Sequence, residues 1–204
     1  MRVVIADDHA FYREGLTRLL RKFGVEVVGE APDGEAALRM VEQTSPDVVV
    51  LDLKMPGVSG LEATRRLVEH GAPSPVLVLS VSAEESDVTD AISAGASAYV
   101  LKDEPVEEVV AGIRAAAAGG AHISPRTATA LLGRVRGAIV AGEDLAGGGL
   151  SATELQVLDL VAAGKGDREV SERLSIGEDT IGDYVRSIVT KLQVADRVRD
   201  ARGS

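Results

Sequence analysis

Residues 46–60 read PDVVVLDLKMPGVSG, and the fold turns on this stretch. Val48, Val49, Val50 and Leu51 make an unbroken apolar run, the pattern of a strand buried on both faces of its sheet. Asp52 stands where the run stops, so a carboxylate marks the strand end. Pro56 and Gly57 shape the loop that follows, and a helical pattern begins near residue 59. Four similar runs flank this one: VVIA (3–6), VEVVGE (25–30), VLVLS (76–80) and AYVLK (98–102). Helical patterns lie between them, over roughly residues 11–23, 34–43, 59–69, 84–94 and 106–118. Five apolar runs alternating with helices predict an α/β unit, a parallel sheet covered on both faces.

Sheets of this kind present their chemistry beyond the carboxyl ends of the strands. Asp7 and Asp8 follow the first run, Asp52 the third, Ser80 the fourth, and Lys102 the fifth. Singly each is weak evidence, since a strand-end Asp is commonly a helix cap and a lone Lys a solvated charge. Together they form a set. Three ionised carboxylates in one crevice repel each other unless a cation sits among them. Oxygen ligands in a chain without cysteine point to Mg2+. The Lys102 ammonium and the Ser80 hydroxyl supply donors for phosphate oxygens. This chemistry suits phosphoryl transfer to a carboxylate, with Asp52 as nucleophile.

The stretches VVIADDHAFYREGL (3–16), PDVVVLDLKMPGVSG (46–60), VLVLS (76–80) and GASAYVLKDEP (95–105) resemble the receiver domains of two-component response regulators. The whole chain resembles the NarL/FixJ class, in which a receiver precedes a LuxR-type helix-turn-helix domain. The resemblance implies a flavodoxin-like (βα)5 receiver with a parallel sheet, followed by a small all-α helix-turn-helix domain. It implies that Asp52 is the phosphoacceptor, that Asp8 binds Mg2+ directly and Asp7 mainly through water, and that the Lys54 backbone carbonyl completes the protein ligands. Ser80 and Lys102 would hold the phosphoryl group, and Tyr99 would turn inward as Ser80 is drawn to it. Lys54 and Ser82 would govern water access and hence dephosphorylation. The Lys102–Asp103 peptide bond would be cis. A receiver promotes only its own phosphoryl transfer and dephosphorylation, so no turnover enzyme is implied. An Asp-nucleophile phosphatase is a poorer match, because it would carry a second Asp at the position of Lys54.

Domain divisions follow: a receiver over 1–123, a linker over 124–149 with a helical segment from Arg126 to about Gly137 and a Gly-rich end, and a helical domain over 150–204. In the last, Ser151 and Glu154 predict a capping box for a helix to about Ala163. Asp167 is placed to cap a short helix ending at Leu174. After the turn Ser175-Ile176-Gly177 a longer helix runs to about Leu192, with Ile181, Val185, Ile188 and Leu192 as its buried stripe. Residues 150–194 resemble the LuxR-type helix-turn-helix throughout. Beyond them the remaining residues allow only a shortened final helix of about two turns.

The expected reading face departs from the family. Gly182 replaces a basic residue, Asp183 replaces Asn, Thr or Ser, and Tyr184 replaces His; Asp179 adds a further acid. Candidate DNA contacts are Lys165, Arg168, Asp183, Tyr184, Arg186 and Lys191, with Arg173 nearby. Residues 150–204 hold eight Lys and Arg against ten Asp and Glu, without the basic excess that phosphate binding favours.

The whole chain carries a formal charge of -10, with 45% hydrophobic, 26% charged and 2% aromatic residues, so Val, Leu, Ile and Ala must fill the cores. The absence of Cys excludes disulfides and thiol chemistry. No signal peptide or membrane span is evident, which predicts a cytoplasmic protein. The expected function is a response regulator phosphorylated on Asp52 by a sensor histidine kinase or a small phosphodonor. It would form homodimers on activation and regulate transcription through DNA. The alternative is a regulator of the same architecture with weak or no DNA binding, acting through protein–protein contacts.

Overall fold

The computed structural model describes residues 1–141 and 149–202, the side chains at 138–141, 178–179 and 193–202 excepted. The Gly-rich linker end and the Asp179 side chain therefore lie outside the described residues. Strands β1 (Arg2–Ala6), β2 (Glu26–Ala31), β3 (Val48–Asp52), β4 (Val76–Ser80) and β5 (Ala98–Leu101) alternate with helices α1 (Ala10–Lys22), α2 (Gly34–Thr44), α3 (Gly60–Glu69), α4 (Glu85–Ser93) and α5 (Val106–Ala117). The predicted α/β unit is therefore present. A sixth strand, β6 (His122–Ile123), extends the sheet by pairing in parallel with β5. Two residues are too few to show as an apolar run, so five strands were expected where six form. Strand order is β2-β1-β3-β4-β5-β6.

Side chains alternate between the two faces of the sheet. Val3, Ile5, Val48, Val50, Leu77, Leu79 and Val100 meet one core, shared with α1 and α5. Val4, Val49, Leu51, Val76, Val78 and Leu101 meet the other, shared with α2, α3 and α4. Every residue of β3 and β4 is buried, as a strand covered on both sides requires. Asp33 and Ser59 start α2 and α3 by accepting the N–H groups of Ala36 and Glu62. None of the described peptide bonds is cis, so the Lys102–Asp103 bond is trans, contrary to the expectation.

Beyond β6, α6 (Pro125–Ala141) runs one turn past the predicted end. It is no free tether: Ala128, Leu131, Leu132 and Val135 are buried. Thr127 Oγ1 donates to the Tyr99 carbonyl at 3.1 Å, and Arg126 grips both oxygens of Asp103 at 2.7 Å. α7 (Ala152–Ala162), α8 (Asp167–Leu174) and α9 (Glu178–Arg202) complete the chain. α6 packs against α7 and α4, while α9 packs against α7, α8, α4 and β6. The second core thus continues from the receiver into the helical domain.

Two further expectations need correction here. Gly166, not Asp167, is the residue before α8, and Asp167 is already helical. α9 does not stop near Leu192 before a separate short helix; it continues unbroken to Arg202. Residues 192–202 contain neither Gly nor Pro, so nothing in them interrupts a helix. The Ser151/Glu154 capping box is present, but Glu154 also does more than cap. Nearly buried, it accepts from Ser187 Oγ at 2.6 Å and pairs with Lys191 Nζ at 2.8 Å, fastening α7 to α9. Burial alone would push its carboxyl up, but bonds from Lys191, Ser187 and Ser151 outweigh burial and hold it down at about 2.

That depressed carboxyl makes stability depend on acid. The contribution is present above the unfolded value of 4.5 and is lost as pH falls through about 2. Glu154→Gln is expected to cost about 1–3 kcal/mol at pH 7. Thermal denaturation should show the gap from the wild-type chain narrowing between pH 5 and pH 2; a constant gap would contradict this role.

Candidate phosphoacceptor site and nucleic-acid interface

The sheet brings the predicted site residues together at one end. Asp7 is buried just beyond β1, its N–H donating to the Ala31 carbonyl at 3.1 Å. Asp52 closes β3 and is only 5% exposed. Lys102 follows β5, and its N–H donates to the Ser80 carbonyl at 2.7 Å, which fixes where its side chain starts. Its Nζ lies 2.9 Å from Asp52 Oδ2 and 2.6 Å from Asp7 Oδ2, and 4.8 Å from the centre of the Tyr12 ring. One ammonium therefore bridges two buried carboxylates. The contact to Asp7 Oδ2 lacks hydrogen-bonding geometry, so that buried oxygen has no hydrogen-bond donor. Burial pushes the Asp52 carboxyl above its ordinary value; Lys102 opposes this and Asp7 adds to it. The Tyr12 hydroxyl is driven up to about 12 by burial and by the charges of Asp7 and Asp52.

Asp8 stands at the mouth, a third exposed, with His9 Nδ1 2.7 Å from its Oδ1. Ligand atoms of Asp7, Asp8, His9 and Asp52 all lie within 4.8 Å of one another. His9 was missed in the sequence because it lies beyond the strand end, one residue past Asp8 and just before α1; it makes no side-chain cap bond. Lys54 meets Asp52 through its backbone N–H, which hydrogen-bonds the carboxylate. Its side chain turns away, to Asp87 Oδ2 of α4 at 2.9 Å.

Ser80 is buried, and its Oγ accepts the Ser82 N–H at 3.0 Å. It lies beside the Tyr99 phenol, whose Oη donates to the Ser82 carbonyl at 2.8 Å. Burial, with Asp87 and Asp52 nearby, pushes the Tyr99 hydroxyl up to about 12. Tyr99 is 1% exposed. Tyr99, expected to turn inward on phosphorylation, stands inward in this structure.

In the helical domain the predicted stripe of Ile181, Val185, Ile188 and Leu192 is buried, with Val189 added. Ser175, in the left-handed conformation, makes the turn between α8 and α9. The candidate DNA contacts fare unevenly. Tyr184 is half-buried against the core. Each cation has an acidic partner: Lys165 and Arg173 with Glu169, Arg168 with Glu172, Arg186 with Asp183, and Lys191 with Glu154. Gly182 and Val185 face a cleft of about 330 Å³ shared with Glu108 and His122 of the receiver.

A parallel sheet with an aspartate gathered against a lysine at its carboxyl end, continuing into a helix-turn-helix, defines a phosphoacceptor-type receiver joined to a nucleic-acid-binding module. Comparison with known proteins agrees. Residues 3–114 match the response regulator receiver domain, and residues 149–202 match the LuxR family of bacterial regulatory proteins. The chain is similar to the transcriptional regulatory protein LiaR of Bacillus subtilis, at 36% identity covering 98% of this chain and 95% of that one. It is also similar to the nitrate/nitrite response regulator protein NarP of Escherichia coli, at 38% identity over 97% and 91%. Among solved structures, the response regulator ChrA of a heme-sensing two-component system covers 98% of this chain and 97% of its own, with 33% identity and a TM-score of 0.57. The chain belongs to the response regulators of the NarL/FixJ class, and it is a transcriptional response regulator with a LuxR-type DNA-binding domain. The alternative that acts only through protein contacts is not favoured. Among the described residues no helix is long and apolar enough to cross a membrane.

Proposed function

We propose that Asp52 accepts a phosphoryl group from a sensor histidine kinase or a small phosphodonor, and that this frees the LuxR-type domain to bind DNA. The observation that carries the reading is the buried Asp52 carboxylate held 2.9 Å from Lys102 at the end of β3. The divisions 1–123, 124–149 and 150–204 are kept as the working domain limits, with α6 serving as a packed bridge.

The residues fit Mg2+. Their donors are mainly hard carboxylate oxygens, from Asp7, Asp8 and Asp52, gathered within 4.8 Å of one another at one end of the sheet. Asp8, Asp52 and the Lys54 carbonyl would hold the ion, with Asp7 acting through water. When bound, Mg2+ neutralises charge on the transferring phosphoryl oxygens. Lys102 orients the Asp52 carboxylate and then pairs with the phosphoryl group once it is attached. The Ser80 hydroxyl, now beside Tyr99 and accepting from the Ser82 N–H, is the donor for the phosphoryl oxygen. Shifting it loosens Ser82, whose N–H it accepts and whose carbonyl holds Tyr99 just before α4. α4 in turn supports α9. Phosphorylation therefore biases the packing of α4 with α9, and release exposes the α9 surface, including Gly182, that now faces the receiver.

DNA binding by this surface is self-limited, because its cations are already paired. Asp183→Asn frees Arg186 and removes a repulsion with phosphate. It is expected to tighten DNA binding several-fold in the beryllofluoride-treated chain and to steepen the dependence on salt. Fluorescence titration at two salt concentrations checks this. Unchanged or weaker binding would show that Asp183 accepts a base proton instead of opposing the backbone. A wild-type chain that ignores DNA both with and without beryllofluoride would overturn the proposal.

A further inference from the structure

Lys54 and Ser82 come from different loops, yet both reach Asp87 in the first turn of α4. Lys54 Nζ is 2.9 Å from Asp87 Oδ2, and Ser82 lies beside the same carboxylate and helps hold it down. Asp87 is largely buried, with a side chain 19% exposed, whereas Lys54 is 66% exposed. The carboxylate is therefore the fixed half of the pair and the lysine the movable half. Lys54 is also tied to the site by its backbone, which lies two residues past Asp52 and helps lower its carboxyl. Its long side chain has two destinations: outward to α4, as observed, or back over Asp52.

We propose that Asp87 is a positioning residue for phosphoryl hydrolysis, holding the Lys54 ammonium on α4 and away from the phosphoryl group. The inference rests on Asp52 being the phosphoacceptor. In hydrolysis, a water oxygen bonds to phosphorus while the bond from phosphorus to the Asp52 oxygen breaks. The carboxylate keeps the electron pair, and the water's protons pass to inorganic phosphate and solvent. Attack must come in line, from the side opposite Asp52. With Lys54 parked on Asp87 that side stays open to water. Once released, the ammonium pairs with the phosphoryl oxygens and covers the approach. The same latch ties the loop after β3 to the helix on which α9 rests. A shift of α4 that opens the latch would therefore prolong the phosphorylated state.

The test is a double-mutant cycle on the full chain, loaded with acetyl phosphate and Mg2+, desalted, and followed by loss of the phosphoryl group. Asp87→Asn is expected to slow that loss about three- to fivefold, the scale of one partly exposed ion pair. In a Lys54→Met background the same change is expected to have no effect, because no ammonium remains to release. Asp87→Glu keeps the carboxylate and should decay as the wild type does. Asp87→Ser is a second neutral variant should Asn upset α4. A merely structural role for Asp87 would act equally in both backgrounds. Equal changes, or wild-type decay in both neutral variants, would overturn the latch while leaving Asp52 as phosphoacceptor. A wild-type chain that takes up no phosphoryl group would overturn the phosphoacceptor reading, and the latch with it.

Discussion

Asp52→Asn is expected to abolish phosphoryl uptake from acetyl phosphate and, at the same time, to raise the stability of the receiver. The first effect follows because the amide offers no nucleophilic carboxylate. The second follows from the electrostatics of the crevice. Asp52 and Asp7 share one bridging ammonium with Asp8 close by, and burial holds the Asp52 carboxyl above its ordinary value. A raised carboxyl contributes stability below its unfolded value that is lost as pH rises through the folded one. At neutral pH the ionised group is a net cost, and the amide removes it. The gain should be on the scale of a single ordinary substitution, about 1 kcal/mol, in the absence of Mg2+, and should shrink when Mg2+ is present. A large loss of stability in the variant would mean that Lys102 needs Asp52 more than the crowded carboxylates oppose it.

Gly60→Ala carries the second large effect. Gly60 opens α3, and its N–H donates to the Leu53 carbonyl at 3.1 Å, closing the loop that follows the phosphoacceptor. A Cβ there would be driven into the backbone carbonyl of Asp52. No side chain can swing aside, so β3 or α3 must move. The expected cost is about 3 kcal/mol or more, with reduced phosphoryl uptake because the displaced atom belongs to Asp52 itself. Gly57 provides the contrast. Its positive φ of 72° favours glycine, but a Cβ there meets open space. Gly57→Ala should cost only about 1–2 kcal/mol. Chemical denaturation of both variants distinguishes the cases, and equal costs would contradict the clash.

The phosphoacceptor site was legible because each of its residues ends an apolar run, so locating the runs located the chemistry. Asp7, Asp52, Ser80 and Lys102 all fall where the strand ends put them. The buried stripe of α9 was legible for the same kind of reason, since helical spacing is local. What escaped depends on pairing across distance. β6 is two residues long and is defined only by its neighbour β5. The partner of Lys54 lies 33 positions onward at Asp87, and Glu154 reaches Lys191 across 37. The inward setting of Tyr99 depends on the Ser82 carbonyl, which no pattern announces. The charge sum of the reading face showed the lack of a basic excess, but not which acid holds each of Lys165, Arg168, Arg186 and Lys191.

The central claim is that Asp52 is the residue phosphorylated. The most direct test is intact-mass measurement of the wild-type chain after acetyl phosphate, with Mg2+ or with a chelator, followed by peptide mapping. One phosphoryl group added only with Mg2+, and located on the peptide containing Asp52, is the expected result. An unchanged mass, or a phosphoryl group carried by another residue, would contradict the account.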